Sequence, residues 1–185
     1  MNNVQIFDTK QLLAESAARQ AVEILNQSIS TNGGAIWVLA GGTTPELAYQ
    51  IIADQFLDNV DWSKVTFVIG DERIAPLDSP DNNWQTIENV FLKHIPQATT
   101  VRPVSDTSAE SGAGEYAQKL AQLPKTENGL PRFDLVWLGM GEDGHTLSLF
   151  PNHPGLAPTN ELVIPIHDSP KPPADRISLT FHGLG

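Results

Sequence analysis

Residues 133–151 read FDLVWLGMGEDGHTLSLFP, an apolar run followed by a glycine-rich turn. The apolar run, Phe133–Leu138, is typical of a buried strand in a parallel sheet. The three glycines that follow allow the backbone to turn tightly where a side chain would obstruct it. Ligands of open α/β sheets bind at the carboxyl ends of the strands. The turn, which contains Asp143 and His145, is therefore the first candidate site.

The three glycines of this turn also match the dinucleotide-binding pattern G-x-G-x-x-G, but their context argues against that function. The pattern has to open a helix in an early βαβ unit, and Pro151 follows Gly144 too closely for a long helix. Two variable positions of the pattern carry Glu142 and Asp143, whose negative charges would face a pyrophosphate. The sequence therefore favours a different chemistry at this turn.

Strands alternate with helices along the rest of the chain, which predicts a three-layer α/β fold. Apolar runs predict strands at 4–7, 35–39, 65–69, 99–104, 133–138, 162–166 and 176–180. Capping patterns predict helices that begin near Asp8 or Thr9, Thr44, Asn82 or Asn83, and Thr107. We expect a mostly parallel, Rossmann-like sheet flanked by helices, in a single domain that covers residues 1–185.

The composition excludes several classes of function. The chain has 185 residues, a net charge of −11 and no cysteine. Binding of nucleic acid or of an anionic membrane surface needs basic patches, so neither is expected as a partner. Disulfides and thiol chemistry are absent, and the N-terminal residues lack the pattern of a signal peptide. These features predict a cytoplasmic protein.

The loop AGGTTP, residues 40–45, is a candidate anion site because it leads from a predicted strand into a helix. Gly41, Gly42 and Thr43 can turn backbone N–H groups toward a phosphate, assisted by the helix dipole. The loop is not a Walker A motif, since no Gly-Lys-Ser/Thr follows. The alternative is an ordinary turn in which Thr44 caps the helix.

Further polar residues leave the other predicted strands, and each has two interpretations. Arg73 either clamps a phosphate through two hydrogen bonds or forms a local salt bridge beside Asp71. Asn83 either binds a sugar hydroxyl or caps the next helix. Lys171 and Arg176 are either additional cations of the site or solvated surface charges.

His145 is the candidate general base, because a neutral imidazole accepts a proton from water near neutral pH. Asp143, two residues earlier, is placed to orient the ring; the alternative for His145 is a histidine that merely caps the turn. The chain lacks the G-x-S-x-G motif of serine hydrolases. His153, His167 and His182 do not have zinc-site spacing with His145, so no metal is expected.

These segments, in this order, resemble the 6-phosphogluconolactonases. The chain carries GGTTP at 41–45, DER at 71–73, NNW at 82–84, GMGEDGHTLSLFP at 139–151 and KPPADRI at 171–177. The resemblance covers essentially the whole chain, although NNW replaces the family's usual Ser-Asn-Tyr. The related glucosamine-6-phosphate deaminases share Gly-Asp-Gly-His but continue toward Asn-Glu-Pro, whereas His145 here precedes Thr-Leu-Ser-Leu-Phe-Pro.

The resemblance implies hydrolysis of 6-phospho-D-glucono-1,5-lactone to 6-phosphogluconate in the oxidative pentose phosphate pathway, with no cofactor. It implies that His145 activates the water, and that Asp143 and Asp71 orient or polarise the reacting groups. The residues implied to bind the phosphosugar are Gly41, Gly42, Thr43, Arg73, Asn83, Gly144, Lys171 and Arg176. Two alternatives remain open, a phosphosugar isomerase or deaminase and a non-catalytic sugar-phosphate-binding domain.

The resemblance also implies at least one more strand and a helix after KPPADRI, whereas the sequence given stops at FHGLG. On that basis we expect residues 176–181 to form a strand at an uncovered C-terminal edge of the sheet. Uncovered edges pair with other chains, so this edge predicts self-association.

Overall fold

The computed structural model describes residues 4–185, which contain five α-helices and seven β-strands. The helices are α1 (Lys10–Asn32), α2 (Thr43–Gln55), α3 (Asn83–Val90), α4 (Ala109–Leu120) and α5 (Phe181–Leu184). The strands are β1 (Ala35–Leu39), β2 (Val65–Ile69), β3 (Asp71–Arg73), β4 (Thr99–Thr100), β5 (Leu135–Val136), β6 (Val163–Ile166) and β7 (Arg176–Leu179). Among the helices of residues 4–185, none combines the length and the hydropathy needed to cross a bilayer.

A parallel sheet confirms the predicted α/β fold. Its strands lie in the order β4-β2-β1-β5, and β1 is buried along its whole length. The chain runs from β1 to β2 and β4 on one side and then returns to β5 on the other side of β1. The strand order therefore reverses between β1 and β5. Such a reversal opens a crevice at the carboxyl ends of the strands.

The strands β3, β7 and β6 form a second, antiparallel sheet. A single residue, Gly70, separates β2 from β3 and joins the two sheets. The Gly70 N–H donates to the Leu39 carbonyl, and the Gly70 carbonyl accepts from the Leu179 N–H. Residues 71–73 therefore lie in a strand beside the crevice, where the sequence had predicted a loop.

The structure contradicts the expected uncovered edge at residues 176–181. The strand β7 is the middle strand of its sheet, with Arg73 opposite Arg176 on one side and Ile166 opposite Arg176 on the other. Phe181 belongs to helix α5 and not to the strand. The edges of this sheet are β3 and β6.

Other differences from the prediction concern the ends of elements. Residues 4–7 do not form a strand, and Val4 and Ile6 are 82% and 90% exposed. The strands β4 and β5 are shorter than predicted, and each is paired on one side only. Ser108, rather than Thr107, caps α4 by accepting a hydrogen bond from the Ser111 N–H.

An aromatic cluster fills the core beside the crevice. The Trp37 ring, which is fully buried, lies 6.0 Å from Tyr49, 5.7 Å from Phe67, 6.0 Å from Phe91 and 4.8 Å from Trp137, measured between ring centroids. These rings come from β1, α2, β2, the end of α3 and the segment after β5. Aromatic contacts at these distances stabilise beyond the burial of area. The cluster therefore fixes the walls of the crevice relative to one another.

Two buried tyrosines terminate the strands β1 and β2. The Tyr49 hydroxyl accepts from the Ala40 N–H and donates to the Ala40 carbonyl, both at 3.0 Å. The Tyr116 hydroxyl makes the same pair of bonds to Ile69, at 2.8 and 2.7 Å. Burial raises the pKa of both hydroxyls, so they stay protonated. The two hydroxyls therefore satisfy the backbone of Ala40, the residue after β1, and of Ile69, the last residue of β2, beside the crevice.

We predict that Tyr116→Phe lowers the free energy of unfolding by about 2 kcal/mol, because it leaves a buried N–H and a buried carbonyl without partners. Urea denaturation measures this difference. The control is Ser111→Ala, which removes an exposed hydroxyl from the same helix and should change stability by less than about 0.5 kcal/mol. A Tyr116→Phe protein as stable as the parent would contradict the assigned role of the hydroxyl.

Candidate active site

A cavity of about 380 Å³ occupies the crevice at the carboxyl ends of the strands. Most of the predicted site residues line it, namely Gly41, Gly42, Thr43, Asp71, Arg73, Asn83, His145 and Arg176. The other three predicted residues, Asp143, Gly144 and Lys171, lie outside this lining. Within residues 4–185, no group of three or more His, Asp or Glu side chains is arranged to hold a metal ion.

The N-terminus of α2 opens into this cavity without a capping side chain. The N-cap is Gly42, at a φ of 96° that disfavours other residues, and not Thr44. Each of the other four helices described in residues 4–185 has an N-cap side chain that accepts a backbone hydrogen bond: Thr9, Asn82, Ser108 and Thr180. No such side chain competes with an anion for the first-turn N–H groups of α2.

Asn83 contacts the glycine loop directly. A Cβ atom at Gly41 would overlap the Asn83 carboxamide, so only glycine permits this approach. The Asn83 Nδ2 atom donates to the Asp71 carbonyl at 3.2 Å. The cap of α3 is Asn82, whose side chain accepts from the Gln85 N–H. The Asn83 side chain therefore faces the glycine loop and does not cap α3.

Two arginines face each other across the β3–β7 pair, Arg73 and Arg176. Like charges directly opposite in an antiparallel pair repel. Burial, and next the charge of Arg73, lower the pKa of Arg176. The Arg73 Nη1 atom donates to the Asp81 carbonyl at 3.0 Å, whereas its Nε atom is buried without a partner. A bound anion would offset the repulsion.

Arg176 uses most of its hydrogen bonds within the protein. Its Nε and Nη2 atoms donate to the carbonyls of residues 171–173 at 3.0 to 3.1 Å, and its Nη1 atom donates to Ser148 Oγ at 3.4 Å. The guanidinium also lies over the Phe150 ring, 5.4 Å from its centroid. Arg176 therefore holds the loop of residues 171–173 and supplies positive charge to the cavity.

His145 is paired with Asp143. The Nδ1 atom of His145 lies 2.5 Å from Asp143 Oδ1, and this hydrogen bond lowers the pKa of Asp143. The carboxylate is therefore ionised and can only accept, so Nδ1 carries the hydrogen; in the neutral form of the ring, Nε2 is then the proton acceptor. The Lys171 Nζ atom lies 3.8 Å from the same oxygen. Asp143 therefore orients the His145 ring from outside the cavity, and Lys171 contacts Asp143.

The glycine turn around His145 is held by its own backbone. The Gly141 N–H donates to the His145 carbonyl at 2.8 Å, and the Gly144 N–H donates to the Gly141 carbonyl at 2.9 Å. Gly144 has a φ of 84°, which explains why a glycine stands there. The N–H groups of Gly141 and Gly144 are therefore engaged within the turn, and Gly144 shapes the turn from outside the cavity.

Asp71 is fixed by a serine that the sequence analysis did not single out. The buried Ser148 hydroxyl donates to Asp71 Oδ2 at 2.6 Å, and the Ser148 N–H donates to Ser178 Oγ at 3.2 Å. Ser148 therefore ties the histidine turn to both β3 and β7. Ser148 lies within the motif at 139–151, which could have drawn attention to it, but its partners Asp71 and Ser178 are remote in sequence.

Glu72 is the second residue that the sequence analysis missed. It is only 1% exposed, and its carboxylate accepts hydrogen bonds from the backbone N–H groups of Arg73, Asn83 and Trp84. Burial raises the pKa of Glu72 to about 7 against the opposing effect of these hydrogen bonds, and the charge of Asp71 adds to the rise. Side chains alternate along a strand, so Glu72 points away from the cavity that Asp71 and Arg73 line.

We predict that Gly141→Ala displaces the His145 ring, because a Cβ atom at this position would overlap the ring and lies 2.7 Å from Asp143 Oδ1. The measurement is the NMR signal of the Nδ1 proton, which a short hydrogen bond to Asp143 shifts downfield and which the variant should lose. Gly114→Ala is the control, since a Cβ atom on that helical glycine meets nothing within 4 Å. An unchanged signal in Gly141→Ala would contradict this account.

The chain matches the model of a known family over nearly all of its length. That family, glucosamine-6-phosphate isomerases/6-phosphogluconolactonase, matches residues 8–185. The chain is 39% identical over 187 residues to a probable chloroplastic 6-phosphogluconolactonase of Oryza sativa subsp. indica, a match that covers 96% of this chain and 58% of the relative. It is 36% identical over 185 residues to the 6-phosphogluconolactonase of Streptomyces coelicolor, covering 95% of this chain and 71% of the relative.

Solved structures give the same comparison in three dimensions. A 6-phosphogluconolactonase from Shewanella baltica superposes with a TM-score of 0.85 at 28% identity, covering 96% of this chain and 74% of that one. The enzyme of that name from Trypanosoma brucei superposes with a TM-score of 0.84 at 30% identity, covering 99% of this chain and 78% of that one. The chain thus spans between 58% and 78% of the length of these four relatives.

Proposed function

The chain belongs to the glucosamine-6-phosphate isomerase/6-phosphogluconolactonase family, and we propose that it hydrolyses 6-phospho-D-glucono-1,5-lactone to 6-phosphogluconate in the oxidative pentose phosphate pathway. The observation that carries the proposal is one cavity that holds an ion-paired histidine, two arginines and an uncapped helix N-terminus. We also propose that residues 1–185 act as one sugar-phosphate-binding domain.

The phosphate is proposed to bind between the α2 N-terminus and Arg73. Backbone N–H groups of the glycine loop would donate from one side, assisted by the helix dipole. The guanidinium of Arg73, which lines the cavity, would donate from the other side. Arg176 would add charge, with most of its hydrogen bonds kept by the loop of residues 171–173. Asn83, whose carboxamide lies beside Gly41, would bind a sugar hydroxyl.

His145 is proposed as the general base. Its Nε2 atom would take a proton from a water as that water attacks the lactone carbonyl, and the imidazolium formed would be stabilised by Asp143. The tetrahedral intermediate would then collapse with cleavage of the ring C–O bond, and the imidazolium would return its proton to the leaving ring oxygen. Asp71, held by Ser148, would orient the sugar or the water. The developing oxyanion needs preorganised donors, which come from groups other than the engaged N–H groups of Gly141 and Gly144.

The test is release of 6-phosphogluconate from freshly prepared lactone, corrected for spontaneous hydrolysis. An isomerase or deaminase would instead convert a phosphorylated amino sugar or aldose, and it would leave the lactone at its spontaneous rate. A binding domain without activity would bind 6-phosphogluconate and turn over neither substrate. The residues after His145, Thr-Leu-Ser-Leu-Phe-Pro, favour the lactonase reading.

We predict that Arg73→Ala weakens binding of 6-phosphogluconate by about 2 kcal/mol, which corresponds to a roughly 30-fold higher dissociation constant, because a charge-assisted pair is lost. Isothermal titration calorimetry measures the change. The matched control is Arg19→Ala on α1, whose side chain is 63% exposed and paired with Glu15. Equal affinities for the Arg73→Ala variant and the parent would contradict the proposed phosphate site at Arg73.

We predict that His145→Ala lowers turnover of the lactone by roughly 100- to 10,000-fold, the range typical of a lost general base. Affinity for 6-phosphogluconate should change little, because the phosphate is held elsewhere in the cavity. His94→Ala, an exposed histidine on another surface, is the control. Near-normal turnover of His145→Ala would reassign the base, with Asp71 as the next candidate.

Two further expectations stay predictions. A cytoplasmic location is one of them, because the rice relative is named as chloroplastic and the bacterial relative is named without a compartment. Self-association is the other, and it would have to use an edge other than β7, which is paired on both sides. The proposed partner is the phosphosugar lactone alone, with neither nucleic acid nor membrane.

A further inference from the structure

We propose that Glu72 is a positioning residue, which sets Arg73 and Asn83 for the phosphosugar and which loosens its hold on them when it takes up a proton. The inference rests on the proposed function for the identity of the ligand. It goes beyond that function because Glu72 neither lines the cavity nor touches the candidate base. Its effect would reach the ligand only through the two residues that it holds.

The carboxylate of Glu72 joins two elements that carry ligand-binding residues. Its Oε1 atom accepts from the Arg73 N–H and the Asn83 N–H, and its Oε2 atom accepts from the Trp84 N–H, each at 2.8 Å. Asn83 and Trp84 are the first two residues of α3. One buried carboxylate therefore fixes the start of α3 against the last residue of β3.

The side chains of Arg73 and Asn83 depend on this junction. The Arg73 guanidinium donates to the carbonyl of Asp81, which lies two residues before α3 begins. The Asn83 carboxamide is confined between the Asp71 carbonyl and the backbone of Gly41. A shift of α3 relative to β3 would therefore move both side chains at the cavity wall, while His145 lies on a different segment.

The surroundings of Glu72 make its proton easy to gain. Its charged and titratable neighbours are Asp71 and Arg73 of β3, Arg176 of β7 and Tyr116 of α4. Burial, aided by Asp71, brings the pKa of Glu72 to about 7. Once protonated, the carboxyl group has a hydrogen on one oxygen and is a weaker acceptor for its three N–H donors. At neutral pH, a fraction of the protein molecules would therefore have a protonated Glu72 and a looser junction between β3 and α3.

The sign of the linked effect on stability is opposite to the effect on binding. The folded-state pKa of Glu72 is raised from 4.5, so its contribution to stability is full below pH 4.5 and is lost as pH rises through about 7. The ionised form, which binds the three N–H groups best, is thus the costlier form to bury. As pH rises through this range, we expect the affinity for 6-phosphogluconate to increase while the stability of the fold decreases.

The first experiment uses the unaltered protein without ligand. The backbone amide signals of Arg73, Asn83 and Trp84 are followed by NMR from about pH 5 to about pH 9, the range around the pKa of Glu72 of about 7. We expect the three amides to shift together with one midpoint near 7. Amides that do not titrate, or that titrate with separate midpoints, would overturn the inference without any variant or assay.

The second experiment compares Glu72→Gln with the parent by calorimetry with 6-phosphogluconate. The ratio of their dissociation constants cancels the ligand's own phosphate titration, which occurs near pH 6. We expect Glu72→Gln to bind about tenfold more weakly at about pH 8, and the ratio to approach one at about pH 6, where the parent's carboxyl is also neutral. The control Glu23→Gln removes an exposed carboxylate from α1 and should bind like the parent at both pH values.

Kinetics then separate this inference from the proposed function. With the lactone as substrate, we expect Glu72→Gln to raise KM by the same factor and to leave kcat within about twofold, since His145 is untouched. If the parent binds 6-phosphogluconate with the expected ratio but does not hydrolyse the lactone, the proposed reaction fails and the role of Glu72 stands. A pH-independent ratio of one would overturn the role of Glu72, whatever the activity. If Glu72→Gln does not fold, the titration of the unaltered protein decides.

Discussion

The passage of the chain through Gly70 is the constraint on which the candidate site depends. This residue carries the backbone from the parallel sheet into the antiparallel sheet with no intervening loop, and it is hydrogen-bonded to both. A Cβ atom at Gly70 would lie 2.5 Å from the Leu147 side chain, so the histidine turn packs directly on this joint. Asp71, Glu72 and Arg73 follow at once, each with a side-chain direction set by the strand. A shift of the backbone at Gly70 would therefore move all three of these side chains together.

Local patterns in the sequence predicted the elements whose signals are local. Thr9, one of the two predicted caps, begins α1; the buried strands β1 and β2 have the predicted bounds, and eight of the eleven predicted site residues line one cavity. Arg73 and His145 are among these eight, although 72 positions of sequence separate them, because parallel strands bring their carboxyl ends to one edge. This rule groups the residues at strand ends without any knowledge of which strands pair with one another.

The failures concern features that only long-range pairing creates. Three residues are too few for alternation to be visible, so the sequence analysis predicted a loop at β3 and assigned no role to Glu72. The strand β7 was expected at an edge because nothing in residues 176–179 reveals that β3 and β6 flank it. Ser148 has its partners at Asp71 and Ser178, which are 77 and 30 positions away in sequence. Charge shows the same limit: a net −11 gives no hint of two arginines placed opposite each other.

The uncapped start of α2 has a consequence for the ligand-free protein. The other four helices described here carry their own caps, so their first turns are complete once the chain has folded. No side chain caps the first turn of α2, so a bound phosphate would act there as a removable cap. Phosphate binding and the folding of this helix end would then be coupled, and a higher ligand concentration would reduce fraying.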